Sequence, residues 1–303
     1  MANIAKINLE IKECSKCPFA RVYRDDDRFY CSSTDISQYL FEAGERVPDD
    51  CPFVLGRLED AIDKLERGPY KSLLNASLRE IESKQKVDNP YHKFDADHAL
   101  RHAEKVLSLG KKFLEDAANW GLLDRRSIPK QRLLFEIAAM FHDVGLADSA
   151  KNHASHSAEL LRHHIESKKI DIAIEDASDI CHAISDHSDG FDTKTWIDAA
   201  LILGDKLDCT GDRIIRIRDD LAKQMKTIET VSFGFFGKDG KVKGAELKYT
   251  ASSEFDVKVF VELYPKWVLF PYNVTKKFLK LSEFRFVVND EVIDHRKLLG
   301  VKN

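Results

Sequence analysis

Residues 133–141, LLFEIAAMF, form an apolar run broken once, by Glu136, and the run ends on His142-Asp143 followed by Val144-Gly145. A helix that is apolar on nearly every side has no solvent face and belongs inside a bundle. An imidazole and a carboxylate at the end of such a helix are costly to bury unless something shares their charge. Gly145 permits a sharp turn or helix end directly after the carboxylate, so both side chains can converge on one cation.

The surrounding sequence repeats the helical signal. From about residue 97 to 225, apolar residues recur at spacings of three and four, as in HALRHAEKVLSLGKKFLEDAANW and IEDASDICHAISDH. These segments, with TWIDAALILGDKLD and the stretch after it, predict a bundle of five or six helices. After Thr230 the character changes. VSFGFFGKDGKVKGAELKYTA and FDVKVFVELY alternate and are rich in β-branched and aromatic residues, and KDGK supplies a hairpin turn. PYNVTKKFLKLSEF reads as a helix, and FRFVVNDEVID as a final hairpin around Asn289-Asp290.

Ten of the eleven histidines fall between residues 92 and 187. His98 and His102 stand four apart, on one helix face. His153, His156 and His187 follow the His-Asp pair, and Asp205 ends another apolar run, ALILGD. A shared metal would offset the cost of holding these groups on interior-leaning faces. Imidazole and carboxylate donors without thiolate suit Fe, Mn, Zn or Co, with water in the open positions.

This order of residues on a helical bundle resembles the HD-domain superfamily of metal-dependent phosphohydrolases. The resemblance spans residues 97–215: HAEKV at 102–106, FHDVG at 141–145, HASHSAELL at 153–161, AISDHSDG at 183–190 and GDKLD at 204–208. It favours His153 over His156 and His187 over His182 as ligands. It implies a ligand set of His102, His142, Asp143, His153, His187 and Asp205 around two divalent ions (Fe, Mn, Co, Zn, Ni or Mg) bridged by Asp143. In a related branch, the histidine four before the first ligand donates a proton to the leaving oxygen, a spacing that His98 matches. His98 reads equally as a satisfied core histidine. His156, one turn after His153, would contact substrate or a ligand. By the same resemblance Lys206, Arg213 or Lys151 would hold phosphate, with Arg213 the better candidate, though each also reads as a solvated charge. His163 and His164 read as a solvated helix end, and His182 as a hydrogen-bonded core residue.

The implied activity is hydrolysis of a phosphate ester or anhydride, of a nucleotide or signalling nucleotide, by a metal-activated water. HSDGFDTKTW at 187–196 lacks Gly-Tyr-Pro, which disfavours the HD-GYP type. A di-iron oxygenase of the same fold, and a regulatory HD protein that binds a nucleotide without turning it over, are the alternatives.

Four of six cysteines, Cys14, Cys17, Cys31 and Cys51, lie in the first 51 residues as C-x2-C-x13-C-x19-C. A four-thiolate structural zinc would staple a module too small to bury much core. Cys181 and Cys209 read as core thiols. The expected architecture is mainly α: a cysteine-rich module at 1–55, a helical linker at 56–95, the bundle at 96–228 and an α+β unit at 229–303. A formal charge of −4 shows no basic excess to suggest nucleic-acid binding. No stretch approaches a membrane span, and MANIAKINLEIKEC lacks a signal-peptide core. A cytoplasmic enzyme acting on a small phosphorylated molecule, with a homodimer possible, is the expectation.

Overall fold

A computed structural model describes residues 20–22, 29–31, 40–41, 96–147, 152–167, 172–188, 193–210 and 219–300. The chain divides into two compact units, Met1–Leu73 and Leu74–Asn303. In the first, strands β1 (Ala20–Val22), β2 (Phe29–Cys31) and β3 (Leu40–Phe41) form an antiparallel sheet in that order. Cys31 ends β2. Cys14, Cys17 and Cys51, the side chain of Cys31, and the linker expected at 56–95 lie outside the described residues, as does the zinc site built on them.

The second unit begins with α1 (Ala96–Asn119), whose Ala103, Val106, Phe113, Leu114 and Ala117 make one buried stripe at helical spacing. Gly121 ends it at φ +73°, and its Schellman pair (Gly121 N to Ala118 O, Leu122 N to Ala117 O) satisfies the last carbonyls. Helix α2 (Ile128–Phe141) is buried continuously from Leu134 to Phe141, as its apolar run requires. Helices α3 (His153–Glu166) and α4 (Ile174–Asp186) pack against each other. Helix α5 (Trp196–Leu207) opens with a Thr195–Asp198 capping box and is buried from Ile197 to its end. A Cβ on Gly204 of α5 would come within 2.6 Å of the Val106 carbonyl, so only glycine lets α1 and α5 approach this closely. Helix α6 (Asp219–Lys226) leads into the sheet.

Strands β4 (Ile228–Lys238) and β5 (Lys241–Ala251) form the expected hairpin, with Asp239 and Gly240 both at positive φ. FDVKVFVELY departs from its strand-like pattern and forms helix α7 (Val257–Leu263). The Asp256 carboxylate caps it by accepting from the Lys258 and Val259 amides, and Phe260 and Val261 are buried while Val259 is exposed. A strand would have turned Val257, Val259 and Val261 to one side. Helix α8 (Lys266–Asn273) continues into a π turn (Val274–Phe278), so the helix expected from Pro271 starts earlier and ends sooner. Strands β6 (Glu283–Val288) and β7 (Glu291–Ile293) meet around Asn289-Asp290 as expected, and α9 (His295–Leu299) follows. The sheet order is β4-β5-β6-β7, with β5 and β6 parallel, which demands the crossover that α7 and α8 supply. Helix α8 packs on α5 and β4 packs on α1, so sheet and bundle share one unit. Among the described residues, no helix is long and apolar enough to cross a membrane.

Candidate metal centre

Three helices of the bundle, α2, α4 and α5, end around one cluster. Helix α2 delivers His142 as its C-cap and Asp143 next to it, and α4 is likewise capped by His187. Asp205 lies in the last turn of α5, and His102 faces it from α1. Each helix C-terminus carries roughly half a negative charge, so three of them meeting favour a cation before any side chain is counted.

Asp143 is the hub. Its Oδ2 lies 3.5 Å from the Nε2 atoms of both His102 and His142. Its Oδ1 lies 3.4 Å from His153 Nε2 and 3.3 Å from His187 Nε2. His102 Nε2 is also 3.4 Å from Asp205 Oδ1. Two trios of donor atoms result, His102–His142–Asp143 and Asp143–His153–His187, each within 4.8 Å internally and each able to hold a metal ion.

The ring orientations explain why a cation fits. His142 Nδ1 donates to the Ala139 carbonyl at 2.8 Å and His187 Nδ1 to the Ile184 carbonyl at 2.6 Å. A carbonyl only accepts, so each Nδ1 carries the hydrogen and each Nε2 turns a lone pair inward. His102 Nδ1 is fixed the same way, 2.6 Å from Asp208 Oδ2. The Nε2 atoms of His142 and His102 then face each other at 3.2 Å, and those of His153 and His187 at 3.3 Å. Protonation does not relieve this at His142, because burial pushes its imidazole down to about 4. Burial pushes the Asp143 carboxyl up, but the His142, His187 and His102 imidazoles override it and hold the group well below the usual carboxylate range. The cluster thus sets the Asp143 anion beside the inward Nε2 lone pairs of His102, His142 and His187, a donor set matched to a divalent metal.

Gly145 works differently from the sequence expectation. It is absent from the positive-φ glycines, but its Cβ would lie 2.2 Å from the His153 carbonyl oxygen. Close approach of the 3₁₀ turn Val144–Ala147 to the start of α3 is what needs glycine, and Gly145 N donates to Ser157 Oγ there.

The other predicted residues divide as follows. His156 lies one turn into α3, half-buried beside Gly145 and outside both trios. His98 lies on α1 one turn before His102, with its side chain outside the described residues, as are Arg213 and Lys151. Lys206 is buried and contacts the Asp205 carboxylate. His182 pairs with Asp198 at 3.2 Å, the hydrogen bond expected of it, but its side chain is 34% exposed and so is not a core residue. His164 corrects its expectation: it is buried edge-on against Phe141 rather than solvated, while His163 is exposed. Cys181 and Cys209 are buried, as core thiols should be, the first against the Ala158 carbonyl and the second against the Tyr249 hydroxyl.

Asp208 escaped the sequence reading. It lies three residues after Asp205, a helical spacing that could have flagged it, but a bare i+3 carboxylate has no specificity. A carboxylate on the far nitrogen of a ligating histidine orients the ring and raises its basicity. Asp208→Ala is therefore expected to weaken metal binding about 10–100-fold, read by competition with a chelator. Unchanged affinity would show that Asp208 does not orient His102.

The HD domain family model matches residues 96–224, the stretch from α1 through α6 that carries the whole cluster. No curated protein matches the chain.

Proposed function

We propose that this chain is a metal-dependent phosphohydrolase that cleaves a phosphate ester or anhydride of a nucleotide or signalling nucleotide, using two divalent cations. The observation that carries the reading is the split of Asp143, one carboxylate oxygen toward each histidine pair, as a bridging ligand requires. His102, His142 and Asp205 would hold one ion, His153 and His187 the other, with Asp143 shared. Paired divalent ions acidify a water for attack and stabilise charge on the phosphoryl oxygens.

The chain's own groups supply the rest. Asp208 and the Ala139 and Ile184 carbonyls lock His102, His142 and His187 in the tautomer that offers Nε2. His98 or His156, each one helical turn from a ligand, would deliver the proton that the leaving oxygen needs. Lys206 holds Asp205 in place through its second oxygen while Oδ1 faces the centre.

Protein reconstituted with Mn, Fe or Co and offered a panel of nucleotides tests the proposal. Phosphate or nucleoside monophosphate release without O₂ uptake is the expected result. O₂ consumption by a di-iron form would replace it with the oxygenase reading, and nucleotide binding without turnover with the regulatory one.

A further inference from the structure

Strand β4 ends the sheet: in the order β4-β5-β6-β7, its far edge meets no strand among the described residues. An edge strand turns alternate N–H and C=O groups outward, a template for one more extended chain. Charges, prolines and bulges usually blunt such an edge. Along the 11 residues of β4 there is no proline, and its charges, Glu229 and Lys238, stand toward the two ends. The register shifts, between Ile228 and Thr230 and between Phe236 and Gly237, fall toward the ends as well. The stretch from Thr230 to Phe236 is left regular and unguarded.

Beside that stretch lies a cavity of about 240 Å³, lined by Ser232 to Phe236 of β4, Glu246 of β5, and Lys112 and Asp116 of α1. Consecutive strand residues point to opposite faces, so a cavity that touches five in a row runs along the edge of the strand. Gly234 opens it: a Cβ there would meet nothing within 4 Å, and Glu246 is its partner in register.

The charges of the cavity do not balance. Asp116 and Glu246 are half-buried, and neither carboxylate makes a hydrogen bond or ion pair among the described residues. Burial pushes the Asp116 carboxyl up, and Lys112, acting through space, only partly offsets this. Lys248 feels Glu246 but is bonded to Asp290 at 2.6 Å. Two carboxylates therefore face one ammonium, the exposed Lys112. The half-buried Phe235 and Phe236 add ring faces that attract cations. Phe236 already carries one, the Arg285 guanidinium, 3.9 Å from its centroid, and that charge is matched by Glu283.

We propose that β4 takes up an extended basic peptide as an added strand, one of whose lysine or arginine side chains enters the cavity lined by Asp116, Glu246 and the phenyl rings. Main-chain pairing on the edge would supply affinity, and the cavity the choice of residue. Its volume lies below the roughly 300 Å³ at which drug-sized sites begin and leaves room for one long side chain. None of the lining residues belongs to the histidine–aspartate trios, so the proposal stands apart from the metal chemistry.

The test titrates the full chain into a fluorescein-labelled peptide, Thr-Val-Thr-Lys-Thr-Val-Thr-amide, followed by anisotropy. Replacing its lysine by norleucine is expected to weaken binding about tenfold, the size of one charge-assisted contact. The double variant Asp116→Asn/Glu246→Gln is expected to lose about tenfold for the lysine peptide and less than about twofold for the norleucine peptide. Gly234→Val, at a position with no positive φ and open space at Cβ, should keep the fold by circular dichroism and fill the cavity, with a loss of similar size. N-methylation of alternate peptide bonds, which blocks strand pairing, should abolish binding. Equal binding of lysine and norleucine peptides, equal loss of both in the double variant, or no binding by the wild type would overturn the proposal. So would butylammonium or the N-methylated peptide binding as tightly as the parent, which would make the cavity a site for small cations.

Discussion

On the proposed two-cation phosphohydrolase, Asp143→Ala is expected to strip both cations and to lower kcat/KM on the order of 10³-fold or more. Among the described residues, Asp143 is common to both trios. Its two oxygens each serve one pair at 3.3–3.5 Å, so the truncation removes a donor from both trios at once. What stays behind is four imidazoles with no anion between them, and Asp205 alone cannot balance two dications. Acidification of water by divalent cations spans many pK units, which sets the size of the loss. The fold should survive, because Asp143 follows α2 instead of packing within it, and deleting a buried carboxylate removes a desolvated charge. Asp143→Asn is the sharper control. The amide keeps the shape but supplies one neutral oxygen, so it is expected to retain at most one ion. Metal content by mass spectrometry, alongside circular dichroism, reads the result. An alanine variant with wild-type metal content and turnover would refute the shared-ligand arrangement.

Much of this was legible because burial and periodicity leave marks on sequence. The run 133–141 has no polar face to spare, and α2 is indeed buried from Leu134 onward. Buried charge needing a common reason pointed to a group of histidines and aspartates, and the family resemblance narrowed it to six by choosing His153 over His156 and His187 over His182. KDGK and Asn289-Asp290 were readable because positive φ at successive turn positions admits few residue types. Failures came where local pattern and tertiary demand diverge. FDVKVFVELY alternates like a strand, yet a single capping aspartate and the need to cross from β5 to a parallel β6 make it a helix. His164 looked solvated beside His163, but adjacent helical positions point about 100° apart, and one of them faces Phe141. The contact of Lys266 with the Ser188 carbonyl could not be found by spacing, because it exists only where α8 folds back onto α5.

Acidification is expected to destabilise the metal-free protein steeply between pH 6.5 and 4. His142 is responsible for that window. Its imidazole falls from 6.5 to about 4 in the fold, first because burial strips water from the charged form; the Asp143 carboxylate opposes this, while His187 and His102 add to it. Between those values the unfolded chain binds a proton that the folded chain refuses. Stability therefore rises with pH across the window, is fully present above 6.5, and is lost as pH falls toward 4. A shift of this size corresponds to on the order of 3 kcal/mol, a large share of a typical domain's stability. Asp143 acts with the same sign lower down: its depressed carboxyl contributes stability above the ordinary carboxylate range that is lost once acid reaches its folded value. Urea midpoints of EDTA-treated protein at pH 7, 5.5 and 4 should fall in that order, and His142→Gln should flatten the upper part of the slope. Bound divalent cations should add stability at neutral pH, on the order of 4 kcal/mol at a thousandfold excess over Kd. They should lose that contribution in acid, because each ligating imidazole must be neutral to hold them. A midpoint that stays level from pH 7 to 4 in the wild type would mean that His142 accepts its proton inside the folded cluster, and the argument that its inward lone pair awaits a metal would go with it.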